Sequence, residues 1–118
     1  MRASIRRFHS PDVEDLAGWT PPDSTCFGFL LQVLIGPVDS EGEESFDFIV
    51  ATPGWLRQRH GGDAVVVARH HLVVFAYDYV RITSAVEALV SAQEARNWHD
   101  LAMKLGRYGM WEFEDYRE

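Results

Sequence analysis

Alternating apolar and polar positions predict two adjacent strands near the middle of the chain. Residues 26–36 carry apolar side chains on both faces, which is typical of a strand inside a sheet. Residues 45–51 place phenylalanine and valine on one face and Ser45 and Asp47 on the other. The connection between them is polar and contains Gly42, so we expect the pair to form a hairpin with a long loop.

Three further segments have strand character. Residues 2–9 predict a first strand, and residues 71–77 predict a buried one. Residues 110–116 alternate aromatic and acidic side chains, as a strand with one buried face does. Residues 65–67 are consecutive valines and favour an extended conformation as well.

Helix starts are indicated by capping residues. Thr52 followed by Pro53 is typical of a helix N-terminus. Asp78 can cap a second helix, and Asn97 with Asp100 three positions later forms a box-like start for a third. Apolar residues at helical spacing predict the two longer helices. The stripe of the first is Ile82, Val86, Leu89 and Val90, and that of the second is Trp98, Leu101, Ala102, Leu105 and Tyr108. We expect the second of these helices to end at Gly109.

The order of elements predicts the fold class. Strands and longer helices are mostly segregated along the chain, which favours an α+β fold. We expect one domain over residues 1–118, with a largely antiparallel sheet of about five strands and the two longer helices on one face. Whether the last strand lies inside the sheet or at its edge stays open.

Charge narrows the classes of partner. The 118 residues include 11 Lys and Arg and 18 Asp and Glu, a net charge of −7. An excess of acidic groups argues against direct binding to nucleic acid or to an anionic membrane surface, and favours a basic partner. Cys26 is a single cysteine, and no signal-peptide-like apolar region follows Met1, so we expect a cytoplasmic protein.

A search for catalytic or metal-binding motifs finds none. His70 and His71 are adjacent, and on a strand they would point to opposite faces, so they are not expected to share a metal ion. No phosphate-binding loop, nucleophile elbow or CxxC motif is present. The sequence therefore predicts no cofactor and no metal.

Four segments in order resemble one protein family. Residues 27–37 read FGFLLQVLIGP, residues 42–56 read GEESFDFIVATPGWL, residues 69–75 read RHHLVVF, and residues 111–116 read WEFEDY. Together they resemble the immunity protein 8 family of bacterial polymorphic toxin systems, over nearly the whole chain. These segments consist mostly of apolar strand positions and capping residues, so they indicate the fold more than the binding surface.

The resemblance implies a cytoplasmic protein that binds and neutralises a cognate toxin by occlusion, without catalytic residues. Many toxin domains act on nucleic acid and are basic, and an acidic inhibitor would be steered toward such a nuclease. We therefore expect toxin binding at the acidic loop and the acidic ending of the chain. Their residues are Asp39, Glu41, Glu43 and Glu44, and Glu112, Glu114, Asp115 and Glu118.

Two alternatives stay open. The chain could be a general interaction module, such as a homodimer or a larger homo-oligomer that uses a sheet edge. It could also be a small hydrolase, because Glu112 and Glu114 on one strand face would lie about 7 Å apart, a spacing that could serve hydrolysis of a glycosidic bond. A solvated acidic face or a protein-binding surface is the favoured interpretation of these carboxylates.

Overall fold

The computed structural model describes residues 1–115 and confirms the α+β class. Five strands and three helices follow one another along the chain. They are β1 (Ala3–His9), β2 (Gly28–Pro37), β3 (Glu44–Ala51), α1 (Pro53–His60), β4 (His71–Val73), α2 (Tyr79–Ser91), α3 (Trp98–Leu105) and β5 (Met110–Trp111).

The strands form a mostly antiparallel sheet in which β1 is one edge, and β4 and β5 both pair with β3 at the other. β1, β2 and β3 are neighbours in that order, and both pairs are antiparallel. β4 pairs with the second half of β3 in parallel, because α1 lies between them in the chain and returns the backbone to the same end. β5 pairs with the first half of β3, matching Phe46 with Trp111 and Asp47 with Met110. The last strand therefore shares an outer position with β4.

The core lies between one face of the sheet and two helices. We call this side the inner face and the opposite side the outer face. Phe46, Val33 and Val50 are almost completely buried on the inner face, and Val86 of α2 and Leu101 of α3 pack against them. The prediction that both longer helices cover one face is confirmed. Burying such side chains stabilises the fold by about 1.5–3 kcal/mol each.

Each predicted N-cap is confirmed by its hydrogen bond. The Thr52 hydroxyl accepts from the N–H of Trp55 at 3.2 Å, and Asp78 and Asn97 accept in the same way at the starts of α2 and α3. Thr52 is fully buried, and its hydroxyl also accepts from the N–H of Phe27, so this cap joins α1 to the start of β2.

Two predicted strands are much shorter than expected. β4 ends at Val73 and not at Tyr77, because β3 ends at Ala51 and offers no partner beyond it. β5 covers only Met110–Trp111, which pair with Asp47 and Phe46, and residues 112–115 then form a turn although β3 extends to Glu44. Tyr116 lies outside the described residues.

One other local prediction is wrong. The last helix ends at Leu105 with Gly106 as its cap, and not at Gly109. Gly109 instead allows a close approach, since a Cβ at that position would lie 2.7 Å from the ring of Phe48. Residues 65–67 are exposed and belong to no strand, and their predicted extended conformation stays a prediction.

Candidate functional site

The structure brings the acidic loop and the acidic ending to the same end of the sheet. The N–H of Ser45 donates to the carboxylate of Glu112 at 3.0 Å, and the N–H of Glu112 donates to the carbonyl of Ser45 at 3.1 Å. These bonds continue the pairing of β5 with β3. We call the resulting group the acidic end, and its members are Asp39, Glu41, Glu43, Glu44 and Glu112.

The loop that carries three of these five residues is held by an arginine. Arg6 lies at the register shift of β1, between Ile5 and Arg7. Its guanidinium donates to the carbonyls of Pro37 and Ser40, each at 2.7 Å. The turn is therefore tied to β1 through backbone atoms, which leaves the carboxylates of the loop free to point elsewhere.

The predicted loop residues have different surroundings. Asp39 and Glu41 are exposed, and no side chain within residues 1–115 pairs with either. Glu43 pairs with Arg7 at 3.3 Å in an exposed setting, where such an ion pair contributes little to stability. Asp39 and Glu41 are thus the carboxylates of the loop most available to a partner.

Glu44 has a structural environment. Its carboxylate oxygen Oε1 accepts from the indole N–H of Trp98 at 2.7 Å and from that of Trp111 at 2.9 Å. All three residues are half-buried. A single charged oxygen therefore links β3 to α3 and β5, and both indole donors are satisfied by it.

The predicted residues near the end of the chain do not share a strand face. Glu112 bonds to the backbone of Ser45, whereas Glu114 pairs with Arg69 at 2.7 Å. The turn at residues 112–115 replaces the expected strand, so the shared face predicted for Glu112 and Glu114 is wrong. Asp115 is exposed with a left-handed φ of 62°, and Glu118 lies outside the described residues. Glu112 and Glu114 therefore have different partners, and the common strand face on which the hydrolase alternative was based is absent from this turn.

Asp47 is a further acidic residue beside the acidic end, and the sequence did not identify it as a candidate binding residue. It lies on the outer face, as predicted, and its oxygen Oδ1 is buried with no hydrogen-bond partner among the described residues. Burial raises the pKa of Asp47, the negative charge of Glu112 adds to the rise, and a hydrogen bond with Gln32 opposes it. The signal in the sequence was an aspartate inside a strand between two phenylalanines, a position where aspartate is uncommon.

The adjacent histidines point to different partners, as expected. Buried His70 has a left-handed φ of 61°, and its Nε2 donates to the carbonyl of Gly106 at 2.9 Å, since a carbonyl can only accept. His71 bonds through Nδ1 to the carbonyl of Arg69. Across residues 1–115, no three His, Cys, Asp or Glu side chains are grouped in a way that could hold a metal ion. No helix in that range has the length and apolar character to cross a bilayer.

A second surface feature lies between β4 and α2. A cavity of about 310 Å³ is lined mostly by apolar residues, among them Leu72, Val74 and Ile82. Phe75 stands at its side with 83% of its surface exposed, and Val80 is 69% exposed. Exposed aromatic side chains of this kind are frequent anchors in protein interfaces.

The comparisons with known proteins give one match. The family model described as immunity protein 8 matches residues 3–116, nearly the whole chain. The search of curated proteins and the search of solved structures return no match.

Proposed function

Because the chain belongs to the immunity protein 8 family, we propose that it binds a cognate bacterial toxin domain and neutralises it by occlusion, without catalysis. The observation that carries this proposal is the family match over residues 3–116. The structure supports it with a small, well-packed scaffold that displays one acidic end. The protein acts in the cytoplasm of the cell that makes the toxin.

The charge of the chain supports a basic toxin, such as a nuclease, as the partner. A net charge of −7 favours encounter with a basic surface, and the acidic end concentrates negative groups in one place. Asp39, Glu41, Glu43 and Glu112 supply this charge at the toxin-binding surface. Glu44 acts mainly through the fold.

The proposal extends to the rest of the acidic ending. Asp115 is exposed and contributes negative charge to this surface. Glu118 lies outside the described residues and is included in the proposal from its charge in the sequence alone. Glu114 is partly neutralised by Arg69, so its contribution is smaller.

Co-expression tests the function directly. The toxin domain encoded next to the gene for this chain should arrest growth on its own, and co-expression with this chain should restore growth. Failure of the chain both to bind the purified toxin domain and to restore growth would contradict the proposal.

Charge reversal tests the acidic end. Asp39→Lys with Glu41→Lys should slow association with the toxin domain at low salt, and raising the salt concentration should reduce the difference. Glu14→Lys with Glu87→Lys, at two exposed sites outside the loop, is the control matched in net charge. Equal association rates for both variants would remove the loop from the binding surface.

A homo-oligomeric interaction module is the second candidate function. The observation that favours it is the exposure of Phe75 beside the apolar cavity. Light scattering on the purified chain tests it, since a module of this kind would form a stable oligomer that Phe75→Ser dissociates. A monomer at high concentration would exclude this function.

A further inference from the structure

The outer face of the sheet is uncovered near Asp47. The helices α2 and α3 pack on the inner face, and α1 contacts residues 25–28 at the opposite end of the sheet, where Trp55 lies against Gly28. Asp47 pairs across the sheet with Gln32 on one side and Met110 on the other. Met110 is 51% exposed and Asp47 is half-buried, so this part of the face is partly open although the Oδ1 atom of Asp47 is itself covered.

Asp47 does not contribute to the fold as an ordinary strand residue would. Its Oδ1 is withdrawn from water and has no hydrogen-bond partner within residues 1–115. Burying a polar atom without a partner is unfavourable, and an uncharged amide or hydroxyl would suit the sheet better. Residues that destabilise a fold while leaving its geometry intact are typical of functional surfaces.

The neighbours of Asp47 match the chemistry of a long basic side chain. Met110 offers a flexible apolar surface, and Glu112 adds a second negative charge nearby. Lysine and arginine combine an apolar stem with a charged head, so the stem can lie on Met110 while the head approaches Asp47. An apolar centre with a charged rim is also the usual anatomy of a protein interface.

We infer that this part of the outer face, defined by Gln32, Asp47, Met110 and Glu112, is where the toxin docks, with a lysine or arginine of the toxin paired to Asp47. The inference rests on the proposed function and names its surface. It places the acidic end at the rim of the interface and Asp47 at its centre.

A second copy of this chain fits the same surface poorly. In a two-fold symmetric dimer the same patch meets itself, so the acidic groups of one copy would lie near those of the other. Like charges brought together in this way are repulsive. A basic partner is complementary to the patch, whereas an identical copy is not.

Paired substitutions test the inference with the full chain and, as the probe, the toxin domain encoded by the neighbouring gene. Asp47→Asn removes the charge with little change in shape, and Glu87→Gln removes an exposed charge on α2 as its control. Met110→Lys places a cation on the patch, and Met103→Lys does the same on α3, where the methionine is 57% exposed. The melting temperature of each variant is measured first.

We expect Asp47→Asn and Met110→Lys each to weaken toxin binding at least about tenfold, while both controls stay within about twofold of the parent chain. Asp47→Asn should melt at the same temperature as the parent or higher. If Asp47→Asn fails to fold, Met110→Lys decides the question, because Met110 is exposed and tolerates a polar side chain.

The remaining outcomes separate the two proposals. A parent chain that does not bind the toxin domain overturns the proposed function. A parent chain that binds, with Asp47→Asn and Met110→Lys binding equally well, overturns the docking surface and leaves the function standing. Light scattering that shows a homodimer of the free chain, dissociated by Met110→Lys, would assign the face to a second copy instead.

Discussion

Removal of the Glu44 carboxylate should destabilise the fold more than any other single change at the acidic end. Both indole N–H groups, from Trp98 and Trp111, donate to the same oxygen of Glu44. A hydrogen bond to a charged acceptor contributes about 1.5–3 kcal/mol, so two intact bonds would contribute about 3–6 kcal/mol. Because all three residues are half-buried, water can replace part of the lost hydrogen bonding. We therefore expect Glu44→Ala to lower the free energy of unfolding by about 3 kcal/mol.

The conservative variant separates the hydrogen bonds from the charge. Glu44→Gln keeps one oxygen that can accept from both indoles, so it should lose only the charge-assisted part, about 1 kcal/mol. Glu41→Ala, in the exposed part of the loop, is the control and should change the free energy of unfolding by no more than about 0.5 kcal/mol.

Urea unfolding followed by far-ultraviolet circular dichroism measures these differences in the free energy of unfolding, and thermal unfolding followed by the same signal measures the melting temperature. The melting temperature of Glu44→Ala should fall by about 10 °C relative to the parent chain. The reasoning fails if Glu44→Ala unfolds like Glu41→Ala, or if Glu44→Gln is as damaging as Glu44→Ala. Either result would mean that the paired indoles do not depend on the carboxylate.

Three further predictions follow from individual contacts. Asp47→Asn should raise the free energy of unfolding at pH 7 by about 1 kcal/mol. Because burial raises the pKa of Asp47, this gain should vanish below the unfolded-state pKa of 3.8, where Asp47 is protonated in both the folded and the unfolded chain. A gain that persists at pH 3 in urea titrations would argue against this cause. Thr52→Val should lower the free energy of unfolding by about 2 kcal/mol in the same titrations, because the hydroxyl caps α1 and accepts from the N–H of Phe27. Thr52→Ser keeps the hydroxyl and should retain most of the stability. Equal losses in the two variants would exclude the hydroxyl as the cause. Tyr77→Phe should cost about 1 kcal/mol at pH 7 by losing its bond to the carbonyl of Leu16. Because burial raises the pKa of Tyr77, the parent should lose stability as pH rises through 10, and thermal melts at pH 7 and 10.5 should show a smaller alkaline loss in the variant.

Local signals made much of the fold predictable. The alternation in β2 and β3 reports which face each side chain occupies, and Thr52, Asp78 and Asn97 are capping residues whose hydrogen bonds span only three positions. These features depend on neighbours in the sequence, so the sequence contains them directly.

Strand length was not predictable in the same way. β4 stops where β3 ends, at Ala51, whereas β5 stops opposite Phe46 because the chain turns at residues 112–115. A strand requires a neighbour for its backbone hydrogen bonds, and the length of that neighbour is a property of the tertiary structure.

The candidate site was predictable in composition and not in arrangement. The acidic residues of the loop and of the chain's ending could be read from the sequence, but their proximity depends on the pairing of Ser45 with Glu112, which are 67 positions apart. The unpaired oxygen of Asp47 and the double acceptor role of Glu44 depend on packing that no periodicity encodes.

The pairing of β3 with β5 also sets when a newly made molecule can act. Ribosomes add about 5–20 residues per second, so the 67 positions from Ser45 to Glu112 separate the two halves of the proposed docking surface by about 3–13 seconds of synthesis. The N-terminal amine of Met1 likewise bonds to the carbonyl of Ala95, 94 positions later in the chain. A nascent chain therefore presents neither a complete sheet nor the complete docking surface proposed above. Under the proposed function, protection would then depend on a reserve of finished molecules made before the toxin is released.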